Sequence, residues 1–197
     1  MTSWEKYGAR ARGWSEEQYA NADAYLAHRA ELIRRLGPPL AEGDTVLDLA
    51  CGDGGLADFL AGLRYVGVDA NEAMVAAGRE RGRNLVQADL NDYAPGEPVQ
   101  ATVIFRAIYY ARDRRALFMH IRGYTERKLV FDLNPRQYAV ADVEKDLRAA
   151  GFEQLETRPF FVPQTRSAFP GLTLLERSGP LARLLLRYRF TLLCAAS

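Results

Sequence analysis

Val46-Leu47-Asp48-Leu49-Ala50-Cys51-Gly52-Asp53-Gly54-Gly55 is the stretch that decides the fold. An apolar run ends in an acid, breaks into small residues, and resumes at the helical spacing Leu56, Ala57, Phe59, Leu60. That pattern reads as strand, tight turn, helix. Glycines in such a turn let backbone approach a ligand closely, and a helix N-terminus offers unpaired N–H groups. A second apolar run, Tyr65-Val66-Gly67-Val68, ends in Asp69. An acid at the tip of a second strand can accept hydrogen bonds from both hydroxyls of a ribose. Together the two runs specify a nucleoside-containing cofactor on a Rossmann-like sheet.

Outward from this pair the rhythm repeats. Strand one is expected at Thr45–Leu49 and a helix at Gly55–Ala61; strand two at Tyr65–Val68 and a helix at Asn71–Arg81. A short third strand follows at Asn84–Gln87. The Pro-Gly-rich loop Ala94–Pro98 leads to a fourth at Ala101–Phe105, then to a helix at Arg114–Gly123 and a fifth strand at Lys128–Asp132. Asn134-Pro135 is expected to open another helix, with Val140, Val143, Leu147 and Ala150 on one face and Gly151 as its stop. Upstream, Ser15-Glu16-Glu17-Gln18 has a capping-box pattern, and Tyr19, Ala22, Leu26, Ala30 and Ile33 form a helical apolar stripe that Gly37-Pro38-Pro39 ends. Alternating βα units imply an α/β fold, a doubly wound and mostly parallel sheet with helices on both faces. The tail breaks the rhythm: a sixth strand at Glu153–Phe161, a mainly helical Leu172–Leu186, and a seventh strand at Tyr188–Ala195.

The turn also bears on which cofactor. Asp48-Leu49-Ala50-Cys51-Gly52-Asp53-Gly54 resembles the first motif of class I S-adenosylmethionine-dependent methyltransferases of the small-molecule type. Val68-Asp69-Ala70-Asn71-Glu72-Ala73-Met74 is similar to their second motif, and Gln87-Ala88-Asp89-Leu90 to their third. The likeness is good over about residues 40–155 and topological beyond. It implies strand order 3-2-1-4-5-7-6 with strand seven antiparallel. It also implies S-adenosylmethionine as cofactor, S-adenosylhomocysteine as its product, and a small-molecule acceptor. A nicotinamide site is the nearest rival, since Gly52-x-Gly54-x-x-Ala57 fits its degenerate pattern. Asp48 argues against it. A carboxylate there would repel a pyrophosphate but suits an ammonium and a sulfonium.

The resemblance places the site at the switch point between strands one and four. Asp48 and the backbone of Ala50 and Gly52 face the methionine part, and Asp69 takes the ribose. Ala70, Met74 and Leu90 sandwich the adenine, with Asp89 on its amine, while Phe105 and Arg106 lie beside the sulfonium. Plainer roles stand beside these: core packing for Met74 and a loop cap for Asp89. On the acceptor side, Tyr110 is the candidate catalytic residue, with Tyr109, Asn134 and Arg136 as candidate substrate contacts. Asn134 also reads as a helix N-cap. Many small-molecule methyltransferases resemble this chain but carry a histidine after strand four, where this one has Arg106-Ala107-Ile108-Tyr109-Tyr110. His28 and His120 read as structural. A tyrosine of pKa about 10 is a poor base, so transfer by proximity and in-line alignment is expected. A non-catalytic or regulatory binding protein of the same fold is the alternative.

The 197 residues suit one domain, with residues 1–40 as a helical cap on a core of 41–197. The formal net charge of +1 creates no global field for nucleic acid. Asn134-Pro135-Arg136 departs from the Asn-Pro-Pro-Tyr-type tetrapeptide of base methylases. Nucleic acid is therefore not an expected partner, and a monomer or homodimer is. Cys51 and Cys194 make no disulfide framework or metal spacing, and no metal is expected. No signal peptide or membrane-length apolar run is evident, so a cytoplasmic location is expected. Scarce lysine with abundant alanine and glycine suggests a bacterial, GC-rich genome. Leu181–Phe190, basic and apolar, reads as a helix and strand of the sheet rather than a membrane-surface element. Residues 1–14, rich in aromatics, are expected to close over the cofactor.

Overall fold

The structure is a computed structural model and describes residues 21–160 and 191–197. Its centre is β1 (Thr45–Leu49), whose Val46, Leu47 and Leu49 are wholly buried. A strand apolar on both faces belongs in the interior of a parallel sheet. β1 pairs in parallel with β2 (Arg64–Asp69) on one side and β4 (Val99–Ile104) on the other. β2 pairs in parallel with β3 (Leu85–Gln87), and β4 with β5 (Thr125–Leu133). Beyond β5, β7 (Thr191–Ala196) runs antiparallel between β5 and β6 (Leu155–Phe160), so the hydrogen-bonded order is β3-β2-β1-β4-β5-β7-β6. The expected mostly parallel α/β sheet is thus present.

Each face carries its own core. One gathers Leu47, Leu49, Ile104, Phe131 and Leu133 under α3 (Arg114–Arg122) and α4 (Val140–Ala149), which supply Phe118, Ile121, Val143 and Leu147. The other gathers Val46, Ala101, Val103, Phe105 and Val130 under α1 (Ala22–Arg35), which supplies Tyr25, Leu26, Leu32 and Ile33. Asn21 caps α1 by accepting from the Ala24 N–H at 2.9 Å. The wholly buried Lys128 of β5 ties down the other end. Its Nζ donates to the carbonyls of Ile33 at 2.6 Å and Leu36 at 2.7 Å, satisfying groups a helix end leaves unpaired. α2 (Glu72–Glu80) is capped by Asn71, which accepts from Ala73 and Met74.

Several expected elements differ. The helix after β1 is one turn of 3-10 helix, Gly55–Phe59, closed by bonds from Ala57 to Gly54 and from Leu60 to Ala57. Five residues hold too few bonds to repay nucleation of an α-helix. Asn134-Pro135 opens a turn, not a helix: the Asn134 carbonyl accepts from Gln137 and Tyr138, and α4 starts at Val140. β5 is longer than expected at both ends, because β4 and β7 pair with it along its length. The Ser15 cap, the closing segment 1–14, the helical 172–186 and the basic 181–190 fall outside the described residues, apart from helix 22–35 itself.

Candidate active site

The turn after β1 is bent left-handed three times, at Ala50 (φ 57°), Gly52 (φ 62°) and Gly54 (φ 72°). Two bonds fix it to β2. Cys51 donates its N–H to the Val68 carbonyl at 3.0 Å, and Gly52 donates to Asp69 Oδ2 at 2.8 Å. Asp69 Oδ1 accepts from Asn71 at 2.8 Å. Burial pushes the Asp69 carboxyl up, against these two bonds. The acid expected only to face a ribose therefore also holds the glycine turn in shape, and each oxygen keeps a lone pair for a ligand. Ala50 and Arg106 (φ 54°) are the described non-glycine residues with left-handed backbone. They follow β1 and β4 and flank the switch point, where such strain is commonly stored.

Asp48 is 3% exposed. Its Oδ2 accepts from the Tyr65 hydroxyl at 2.8 Å. Burial lifts its carboxyl to about 7, while the Tyr65 bond and the nearby Arg29 pull it down. Tyr65 reaches it because Gly67 leaves the space above the strand clear. A Cβ at Gly67 would sit 2.7 Å from Cys51 Sγ and 3.0 Å from the Tyr65 ring. A half-neutral acid in this position gains its charge when a cation comes near.

Arg29 and Tyr65 are site residues that the sequence reading missed. Arg29 comes from α1, bonds the Tyr25 hydroxyl, and stacks 4.0 Å above the Phe105 ring. Its charge acts on both Asp48 and Asp132. Phe105 is therefore in the α1-side core, not open toward a reacting centre. Asp132, buried at the end of β5, accepts the Arg106 N–H and so holds that left-handed residue in place. Asp53 was also missed. It is 1% exposed and points behind the turn to Arg81 and Arg83, at 3.4 and 3.2 Å.

The tip of β3 carries Asp89. Its Oδ1 accepts from the Asn91 backbone at 2.8 Å and the Asn91 amide at 2.7 Å, and its Oδ2 from Arg112 at 2.8 Å. Slight burial pushes this carboxyl up, but the Asn91 bonds and the Arg112 charge outweigh it and hold it below the usual range. Leu90 packs in the core with Ala107 and Ile108, which corrects its placement on an open adenine face. Met74 is 3% exposed and clusters with Ala77, while Ala70 is half-buried.

On the acceptor side, Tyr109 and Tyr110 lie in a 3-10 turn (Ile108–Tyr110), 48% and 46% exposed, their ring centroids 4.4 Å apart. One turn of 3-10 helix brings the two rings together. Asn134 Oδ1 accepts from Arg136 at 3.1 Å, a turn cap, and Arg136 is exposed. His120 Nε2 meets the Tyr93 carbonyl at 2.9 Å away from the tips, a structural role. His28 stands 3.9 Å from Glu31 on α1. A cavity of about 600 Å³ lies under the Tyr93–Pro98 loop, at the opposite ends of β1 and β2, and holds none of the tip acids. Among the described residues there is no His/Cys/Asp/Glu cluster suited to a metal, and no helix long and apolar enough to cross a membrane.

A glycine turn after β1 with acids at the tips of β1, β2 and β3 is the arrangement of class I methyltransferase domains. Residues 46–128 match the family model described as a methyltransferase domain. The chain is similar to trans-aconitate 2-methyltransferase of Azoarcus sp. (strain BH72), 34% identical over 133 residues that cover 64% of this chain and 52% of the relative. It is 33% identical over 108 residues to the trans-aconitate 2-methyltransferase of Mycobacterium tuberculosis (strain ATCC 25177 / H37Ra), covering 49% and 41%. The chain thus spans about half the length of the curated relatives it matches. In fold it is similar to a putative methyltransferase solved in complex with the Haloferax volcanii Trm112 activator (TM-score 0.69, 21% identity, 100% and 97% covered). It is also similar to a TehB-like methyltransferase of Corynebacterium glutamicum (TM-score 0.66, 19% identity, 98% and 97% covered).

Proposed function

We propose that the protein transfers a methyl group from S-adenosylmethionine to a small-molecule acceptor. The observation that carries this reading is the pair Asp48 and Asp69 on adjacent strand tips, with Asp69 bonded to the Gly52 N–H of the turn between them. The residues fit a ligand that joins a cationic amino acid to a nucleoside. A buried acid lifted to about 7 suits the cation, and a partly satisfied one suits two hydroxyls. The cofactor, when bound, supplies an electrophilic methyl group on a sulfonium. Asp48 and the Ala50–Gly52 backbone would hold the methionine part, Asp69 the ribose, and Asp89 the adenine amine. Ala70, Met74 and the Leu90 backbone would border the base. Arg106, fixed by Asp132, would border the reacting centre, and Tyr110 would position the acceptor, with Tyr109, Asn134 and Arg136 around it. No described histidine stands at the tips, so the reading rests on proximity and alignment for rate. It includes one domain over residues 1–197 with residues 1–40 as a cap, the strand order 3-2-1-4-5-7-6 typical of such enzymes, and a cytoplasmic location.

The names of the curated relatives point to a carboxylic acid as acceptor, and the acceptor panel should begin with unsaturated di- and tricarboxylic acids. Calorimetry and thermal melting test the cofactor first. S-adenosylhomocysteine is expected to bind and to raise Tm, because it stabilises the folded state by mass action. NADH is expected to do neither. A response to NADH alone would sink the proposal. Cofactor binding without turnover on any acceptor would favour the non-catalytic alternative.

A further inference from the structure

The loops after β3 and β4 are stitched together by side chains. Asn91, two residues past Asp89, faces the Tyr109-Tyr110 loop, and its amide brackets the main chain there. Nδ2 donates to the Tyr110 carbonyl at 3.2 Å, and Oδ1 accepts from the Arg112 N–H at 2.9 Å. The same Nδ2 donates to Asp89 Oδ1 at 2.7 Å. Arg112 returns across the gap. Its guanidinium bonds Asp89 Oδ2 at 2.8 Å and both oxygens of Asp92 at 2.9 Å. An amide side chain offers a donor and an acceptor on one flat group, so it can pair with a main-chain carbonyl and N–H as a strand would. No other uncharged side chain of that length does both.

We infer that Asn91 is a positioning residue, whose amide couples occupation of the adenine side at Asp89 to the placement of the acceptor-side turn at Tyr110. The inference rests on the function proposed above. Lone-pair accounting gives the route. Both lone pairs of Asp89 Oδ1 are taken by Asn91, and one of Oδ2 by Arg112, which leaves one on Oδ2 for an exocyclic amine. A ligand drawing on that lone pair fixes the Asp89 carboxylate. The fixed carboxylate orients the Asn91 amide, and the amide fixes the carbonyl of Tyr110. Without the bracket, the described side-chain hydrogen bonds between the two loops reduce to those of the Arg112 guanidinium, a 62% exposed group whose ion pairs are screened by solvent.

Hydrogen exchange on the full chain, with S-adenosylhomocysteine as the probe, tests the coupling. The amides to follow are Tyr110 and Ala111, which bond Ala107 and Ile108 and are not themselves touched by Asn91. In the wild type the probe is expected to slow exchange at the glycine turn, residues 50–55, and at Tyr110 and Ala111, each by about threefold or more. In Asn91→Ala the turn should remain protected, with probe affinity within about threefold, while the protection of Tyr110 and Ala111 is lost. Equal protection of those two amides in wild type and variant overturns the coupling and leaves the cofactor reading standing. No protection at residues 50–55 in the wild type overturns the cofactor reading and the coupling with it. Asn91→Ser serves if Asn91→Ala fails to fold. Its hydroxyl is too short to span the Tyr110 carbonyl and the Arg112 N–H together, and the added protection of Tyr110 and Ala111 should be lost there too; full retention there overturns the proposal.

Discussion

Tyr65→Phe isolates the electrostatics at the centre of the site. The variant removes one hydroxyl, the donor that meets Asp48 Oδ2 at 2.8 Å, and keeps the ring that packs over Gly67. A hydrogen bond to a charged group contributes about 1.5–3 kcal/mol and one to a neutral group about 0.5–1.5, so the carboxylate loses roughly 1–1.5 kcal/mol relative to its acid form. At about 1.4 kcal/mol per pKa unit that raises Asp48 by about one unit, from about 7 in the wild type. At pH 7 the ionised share falls from roughly one half to roughly one tenth, and apparent affinity follows the competent fraction, so cationic ligand binding should weaken about fivefold. Calorimetric titration with S-adenosylhomocysteine, which keeps the ammonium, checks this between pH 6 and 9. Wild-type affinity should rise with pH and level off above about 7, with the variant's inflection about one unit higher. At pH 6, buffers of different ionisation enthalpy should reveal close to one proton released per ligand bound. The sign for the free protein is opposite. Asp48 titrates higher folded than unfolded, so its contribution to stability is full below about pH 4 and is lost as pH rises through 7. An inflection that does not move in Tyr65→Phe would refute the assignment of Asp48 to the ligand's cation.

Three further outcomes are expected. Asp69→Ala should cut cofactor affinity about tenfold to a hundredfold, and because it also frees the Gly52 N–H, it should lower Tm, as a denaturation curve would reveal; an unchanged affinity would remove Asp69 from the ribose. Lys128→Met should cost about 1–3 kcal/mol in urea unfolding by leaving the Ile33 and Leu36 carbonyls unpaired at the end of α1, and a neutral result would show that α1 is held by its apolar face. Tyr110→Phe should lower kcat and kcat/KM together on a true acceptor with cofactor affinity unchanged, and equal turnover would take its hydroxyl out of the mechanism.

The frame of the site was legible because it depends on local pattern. Apolar runs ending in Asp48 and Asp69, with glycines between, dictate strand, left-handed turn and strand within about 25 residues. What was not legible depends on space between distant elements. Tyr65 looks like an ordinary strand residue until Gly67 is seen to clear its path to Asp48. Arg29 sits in an apolar helical stripe, and its place between Asp48 and Asp132 follows from the docking of α1 onto β4 and β5. The length of the helix after Gly55 was misjudged for the opposite reason: its local spacing is helical, yet the chain must turn at Gly62, whose carbonyl accepts from Gly43 at 2.7 Å, to enter β2. Asn134 shows a motif with two local uses, a helix cap or a turn cap, between which sequence alone does not choose.

The crowding behind the glycine turn bears on how this site can be re-engineered. A Cβ at Gly78 of α2 would sit 2.5 Å from the Asp53 carbonyl and would also strike Leu85, and a Cβ at Gly67 would strike the same leucine. The loop proposed to receive the cofactor is thus cast against a mould made by two glycines, one leucine and the Arg83 that grips Asp53. Transplanting residues 48–55 alone into a relative would bring the casting without its mould. A working chimera should carry Gly67, Gly78, Arg83 and Leu85 along with the turn, and a library that randomises the turn should fix those four.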